Sequence, residues 1–370
     1  MMNGERPLRF GFIALNDAAT LIVARTRGLF AAEGLDVELV REVSWATIRD
    51  KLNVGALDGA HMLAPLALAT SIGAAGAEPT PLVAPLVLNL NGPAITLASR
   101  LAGAAAAGGQ ADGLARLIAR RRDEGASPIT LAVVFPFSTH NYLLRDWLAR
   151  AGVDPDRDVR LAVAPPSRMT GLLVEGVVEG FCVTEPWDTA AVKAGAGLIV
   201  ARGSQLWPRT PDKVFAVAEA WAARHPETLQ ALLRAMIRAA AWADEAGNRA
   251  ELAALLAQPR YVGADAATIE ESLADMVFHA DGASAPEPAH AGWLLSQMMR
   301  WAHVGAHIDI GAVARRVYRP DLYATAAAAV GAAVPARLET LEGYGDAGVF
   351  SLATARDHAV SGRMSRIPTG

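Results

Sequence analysis

Val37–Pro65, VELVREVSWATIRDKLNVGALDGAHMLAP, followed by Pro85–Ala98, PLVLNLNGPAITLA, is the stretch from which the rest of the chain is read. An extended run, a helix-length run and further extended runs follow one another with short polar joints, the unit from which layered α/β folds are built. Ser44 supplies a hydroxyl cap where the helix begins. Trp45 stands beside it between polar residues, so its ring belongs to a helix mouth rather than to a strand interior.

The same alternation runs outward through the first 220 residues. Strands are expected at Arg9–Ala14, Val37–Val40, Gly59–Met62, Leu82–Leu88, Ile129–Val134, Val159–Val163 and Gly180–Thr184, forming parallel sheet covered by helices on both faces. Beyond Val217 the pattern is purely helical, with Glu227–Ala246 and Ala289–His303 among the expected helices. A weak repeat at constant spacing relates Leu52, Gly55, Leu57, Asp58, Gly59 and Ala60 to Leu173, Gly176, Val178, Glu179, Gly180 and Phe181. Each copy reads as a helix end, a glycine turn and an apolar strand.

A chain of 370 residues exceeds the roughly 250 at which single cores stop growing, so two lobes are expected. Residues 1–98 with part of 210–370 form the first and 114–209 the second; 99–113 read as a loop or junction and 343–370 as a loosely packed tail. The net charge of -4, with no basic block beyond Arg120–Arg122, excludes direct nucleic-acid binding as an expectation. The first apolar stretch, Phe10–Leu15, is too short for a secretion signal, and no run of about 18 apolar residues occurs, so a cytoplasmic protein without a membrane segment is expected. Lone Cys182, in GFCVTEP, has no partner for a disulfide and reads as a buried thiol.

Three predicted helix starts follow predicted strands: Ser44-Trp45-Ala46-Thr47, Ser138-Thr139-His140-Asn141 and Glu185-Pro186-Trp187. In open α/β sheets that edge binds ligands, and free N–H groups at helix starts favour anions. Trp45 offers a flat wall with an indole donor, and the helix dipole disfavours a charged His140. Lys213 precedes the apolar run VFAVA and projects from a strand mouth. No HExxH, paired CxxC, phosphate-binding glycine loop or GxSxG elbow is present, so no metal, no cofactor and no enzymatic activity are expected. His61 reads as a core or cleft-rim histidine.

The segments GFIALNDAATLIVARTRGLFAAEGLDVELV, SWATIRDKL, LDGAHML, NLNGPAITL, FPFSTHNYLLRDWL and TEPW, in this order, resemble the nitrate and bicarbonate receptors of the NrtA and CmpA type. Within that group the chain is most similar to the unexported NasS-type nitrate/nitrite sensors. The resemblance implies a two-lobe α/β fold of the periplasmic-binding-protein kind (type II) with a helical C-terminal part, closing on a small oxyanion. It implies Trp45, His140 and Lys213 as ligand-binding residues; Gly92, where the backbone can approach the ligand, and Thr139, as a donor, are read beside them, with Asn91 and Glu185 as further candidates. The implied partner is a NasT-type RNA-binding antiterminator of nitrate-assimilation genes; the alternative is the solute-binding component of an ABC transporter for nitrate, bicarbonate or a sulfonate. One departure stands out: Pro93 follows Asn91-Gly92 where those receptors commonly carry glutamine, and proline offers neither a side-chain donor nor an N–H. One lysine with two neutral donors matches a flat monoanion, and Lys213→Ala is then expected to weaken binding without touching the stability of the empty protein.

Overall fold

A computed structural model describes residues 6–101, 103, 110–334, 336, 339–344 and 348–361. In chain order the strands are β1 (Leu8–Phe12), β2 (Val37–Arg41), β3 (Gly59–Leu63), β4 (Leu82–Leu90), β5 (Pro93–Ala98) and β6 (Ile129–Val133). They continue with β7 (Val159–Val163), β8 (Gly180–Thr184), β9 (Gly197–Arg202), β10 (Pro211–Ala218), β11 (Thr340–Glu342) and β12 (Val349–Ser351). Two five-stranded sheets result, ordered β2-β1-β3-β10-β4 and β7-β6-β8-β5-β9, with β11 and β12 as a separate pair.

Each sheet is mixed rather than parallel. β1 runs parallel to β2 and β3, and β6 to β7 and β8, but β10 is antiparallel to β3 and β4, and β5 to β8 and β9. The cause is that the chain crosses between the sheets twice, from β4 into β5 and from β9 back into β10, so the crossing strands run against their neighbours. The repeat seen in the sequence matches this plan: Gly55 and Gly176, with φ of 71° and 72°, precede β3 and β8, which flank β1 and β6 in their respective sheets.

The first crossing corrects the expected lobe boundary. β5 belongs to the second sheet, so the chain leaves the first at Asn91–Gly92 and not after residue 98. Both residues have positive φ, 63° and 98°, a region open to Asn and Gly but costly to other side chains, and together they hand the strand across instead of turning it back as a hairpin. A Cβ at Gly92 would lie 3.1 Å from Thr184 Cγ2 and 3.2 Å from Met276 Cε, so the crossing packs against both. Of the expected junction 99–113, Ser99–Leu101 is a short 3₁₀ turn and the helix Gln110–Asp123 takes up the end; residues 102 and 104–109 lie outside the described residues.

The long helix Pro226–Asp244 buries Leu229, Leu232, Leu233, Met236, Ile237 and Ala240, a stripe of helical spacing, and packs on the helix Ala19–Thr26 over the first sheet. The tail, whose composition suggests a loosely packed end while FSLATARDHAV suggests a short docking helix, follows the second expectation. Leu341, Tyr344, Phe350, Leu352 and Ala359 are buried, and the helix Ala355–Ser361 packs on the helix Pro288–Arg300. Trp293 anchors it, with ring centroids 5.0 Å from Tyr344 and 5.3 Å from Phe350. Two aromatic residues outweigh the Gly, Asp and Ser content that suggested disorder. Residues 345–347 and 362–370 lie outside the described residues. Among the described residues no helix is long and apolar enough to cross a membrane.

Candidate functional site

Neighbouring residues of a regular strand point to opposite faces. In β10 the ladder to β4 skips register between Pro211 and Lys213 and again between Lys213 and Val214. That irregularity re-aims the side chains, as bulges do, and brings Asp212 and Lys213 together with Nζ 2.6 Å from Oδ2. Asp17, in the 3₁₀ turn Asn16–Ala18 after β1, places Oδ2 2.7 Å from the same ammonium, and Thr184 at the end of β8 accepts from it at 3.1 Å. All four side chains are buried. Lys213 thus donates hydrogen bonds to Asp212 and Thr184 and forms an ion pair with Asp17.

Burial pushes the Asp17 carboxyl up, but the Lys213 ammonium and the His61 ring beside it prevail and hold it at about 2. The backbone N–H of Ile13 donates to His61 Nδ1 at 3.3 Å, so that nitrogen is a lone-pair acceptor and the ring proton sits on Nε2, 2.8 Å from Asp17 Oδ1. The cluster thus sets two carboxylates, Asp17 and Asp212, against the one ammonium of Lys213.

Trp45 opens the helix Trp45–Asn53, whose start is fixed by Ser44 Oγ accepting from the Thr47 N–H at 3.1 Å. Its ring meets His61 edge-on at 5.3 Å and lies 5.5 Å from Lys213 Nζ. His140 arrives from the second sheet on the helix Thr139–Arg150, capped in the same way by Ser138. Its Nε2 lies 2.6 Å from Thr184 Oγ1. Burial, with help from Lys213 and against Asp212, pushes His140 down to about 4, so the ring is neutral. Trp45 Nε1 and His140 Nδ1 are buried with no hydrogen-bond partner among the described residues.

Trp45, His140 and Lys213, far apart in sequence and contributed by both sheets, thus meet in one buried cluster. The other candidates stand differently. Thr139 immediately precedes the cluster member His140, but its hydroxyl donates to Pro211 O at 2.8 Å. Gly92 lies against the cluster member Thr184. Asn91 is occupied elsewhere: its side-chain oxygen accepts from Thr210 N at 3.0 Å, and its own N–H bonds Thr210 O at 2.8 Å, which stitches the two crossings together. Glu185 is likewise engaged as a helix cap, accepting from the N–H and hydroxyl of Thr189 at 3.0 and 2.8 Å; burial pushes it up to about 7 against Thr189 and Arg202. The sequence reading missed Asp17, Thr184 and Asp212, and the expected balance of one lysine against neutral donors is corrected by the two carboxylates.

Contacts between the lobes close over the cluster. Asn16 N–H donates to Glu185 O at 3.1 Å, and Trp187 Nε1 to Ala14 O at 3.2 Å. Among the described residues no group of three or more His, Cys, Asp or Glu side chains is placed to hold a metal ion.

The NMT1-like family profile matches residues 3–257. The nitrate/nitrite binding protein NrtA of Synechococcus elongatus is 33% identical over 344 residues, covering 87% of this chain and 77% of that protein. The nitrate import ATP-binding protein NrtC of Synechocystis is 35% identical over 336 residues, covering 86% of this chain; the chain spans only 49% of that relative's length. The crystal structure of the periplasmic nitrate-binding protein NrtA from Synechocystis superposes with a TM-score of 0.90 at 30% identity, over 97% of this chain and 98% of that one.

Proposed function

The chain belongs to the NMT1-like family and has the two-lobe periplasmic-binding-protein-like fold of its NrtA relatives, and from that premise we propose that it binds nitrate or nitrite in the cytoplasm and controls a NasT-type RNA-binding antiterminator of nitrate-assimilation genes. The observation that carries the binding part is the meeting of Trp45, His140 and Lys213 in one cluster between the lobes, with the indole N–H unpartnered. Buried donors are normally satisfied, so a free indole N–H beside a buried ammonium suits an oxyanion acceptor. The relatives' names support nitrate or nitrite as that anion. The regulatory part rests on the resemblance of the quoted segments to NasS-type sensors, and it requires ligand and partner to favour different lobe geometries, with a coupling of roughly 1 to 3 kcal/mol.

Isothermal titration with nitrate, nitrite, bicarbonate and taurine tests the binding part: heat from the first or second anion is expected, and binding of taurine alone removes the assignment. Trp45→Phe keeps most of the ring and deletes the donor, so nitrate affinity is expected to fall by about fivefold to tenfold, the worth of one hydrogen bond. The import-system names of relatives favour a second reading, a receptor that delivers the anion to an ABC permease. The two readings differ in their partner. A sensor co-purifies with the antiterminator in the absence of nitrate and releases it when nitrate is added, whereas a transport receptor ignores the antiterminator in both conditions.

A further inference from the structure

Thr184 Oγ1 has one proton and three polar neighbours. Lys213 Nζ donates to it at 3.1 Å, Asp212 Oδ2 lies at 2.5 Å and His140 Nε2 at 2.6 Å. With Asp212 ionised, the carboxylate cannot donate, so the Thr184 proton goes to Asp212 and Nε2 of His140 must carry the ring hydrogen. Nδ1 is then a bare acceptor, buried and without a partner among the described residues. With Asp212 protonated the chain reverses: Asp212 donates to Thr184, Thr184 donates to Nε2, and Nδ1–H becomes a donor. That proton sits on Oδ2, the oxygen 2.5 Å from Thr184 Oγ1, while Oδ1 is buried and likewise without a partner among the described residues. The first state offers an anion an acceptor and a surplus negative charge; the second offers it a donor and a neutral balance.

Resting on the anion-binding reading above, we propose that Asp212, acting through Thr184, sets which face His140 turns to the ligand, so that an oxyanion without its own O–H binds only with uptake of one proton and one that carries an O–H binds with none. An oxyanion with its own O–H, of the hydrogencarbonate class, brings that proton and donates it to Nδ1; an aprotic oxyanion such as nitrate requires Asp212 to take one up from water. Asp212 is thereby a specificity-determining residue and not a passive counter-charge to Lys213.

Of the groups around Asp212, Glu185, the residue after Thr184, is pushed up by burial to about 7, but its carboxylate is turned to Thr189; the groups facing Asp212 do not titrate near neutrality. Asp17 is held at about 2 and His140 at about 4, while burial, with Asp212 adding to it, raises Tyr318 above the ordinary tyrosine value; Cys182 goes up through burial, Asp188 and Asp212. The Ile13 N–H donates to His61 Nδ1, and Lys213 lies between the two carboxylates Asp17 and Asp212.

Titration calorimetry of the full chain with sodium nitrate and with sodium hydrogencarbonate, run at equal pH in Tris and in bis-Tris, counts the protons exchanged. These cationic buffers differ in ionisation enthalpy and do not compete as anions. Nitrate is expected to bind with uptake of one proton and to lose about tenfold in affinity per pH unit between pH 7.5 and 8.5, and hydrogencarbonate to bind with none. Asp212→Asn is expected to make nitrate affinity independent of pH and tighter than that of the unaltered chain at pH 8.5. Nitrate binding without proton uptake and without pH dependence overturns the relay while leaving anion binding intact. Binding of neither anion overturns both. The proton count on the unaltered chain decides the matter even where the variant does not fold.

Discussion

Lys213→Ala is expected to lower the unfolding free energy of the ligand-free protein by about 3 to 5 kcal/mol, measured by urea denaturation, the range for removing one member of a buried ion cluster. The substitution leaves Asp17 and Asp212 in a fully buried site without their shared ammonium, beside His61 and Thr184. This reverses the expectation from sequence that the lysine acts on ligand affinity alone. The pairing also has a pH signature. The folded-state value of Asp17, about 2, lies below its ordinary 3.8, so its contribution to stability is complete above about pH 4 and is lost as pH falls toward 2. In Lys213→Ala that acid-side loss shrinks, because the carboxylate no longer has a cation to lose. Adding Asp17→Asn to the variant removes one of the two stranded charges and is expected to restore part of the stability. A lysine variant as stable as the unaltered chain excludes the ammonium as the counter-charge.

The parts of the fold legible in the sequence are those governed by local pattern. β7 and β8 coincide with the expected Val159–Val163 and Gly180–Thr184, and β1, β2, β3, β4 and β6 differ by a residue or two at their ends, because alternating or continuous apolar runs bounded by glycine and polar joints determine them. β9 carries no clear strand signal, and β5 reads as part of the first lobe: GLIVAR is half exposed, and PAITLA follows an Asn-Gly pair that has the chemistry of a hairpin but here crosses between sheets. Strand partnership is a long-range property that no local signal carries. The site divides in the same way. Trp45 and His140 were legible because each sits beside a serine cap at a helix start, and cap chemistry is local. Asp17 and Asp212 were not: one lies in a short turn after a strand, and the other is a sequence neighbour of Lys213 that a regular strand would turn to the opposite face.

A comparable loss of stability, about 3 kcal/mol, is expected for Asp146→Ala, although Asp146 lies outside the cluster. Its carboxylate accepts from Arg150 Nη2 at 2.8 Å, Arg300 Nη1 at 2.7 Å and Trp207 Nε1 at 3.0 Å, and only 5% of the side chain is exposed. Burial pushes this carboxyl up, yet Arg150 and Arg300 hold it below its ordinary value, so its stabilisation is present above about pH 4 and disappears on acidification through the lowered folded value. Exposure decides the magnitude. Arg120 and Glu124 also pair, but at 3.9 Å with both side chains more than half exposed, and Glu124→Ala is expected to change stability by less than about 0.5 kcal/mol. The three partners of Asp146 come from the second-lobe helix Thr139–Arg150, the helix Pro288–Arg300 and the segment entering β10, so the knot braces the second crossing. From Trp207 the brace continues through Thr210, two residues before Asp212: its hydroxyl donates to Trp207 O, and its backbone pairs with Asn91. Asp146→Ala is therefore expected to weaken nitrate binding by about tenfold through misplacement of the Asp212–Lys213 pair, with the proton count per nitrate unchanged. A stable variant, or one that loses stability while keeping full affinity, would show that the crossing holds its geometry without this carboxylate.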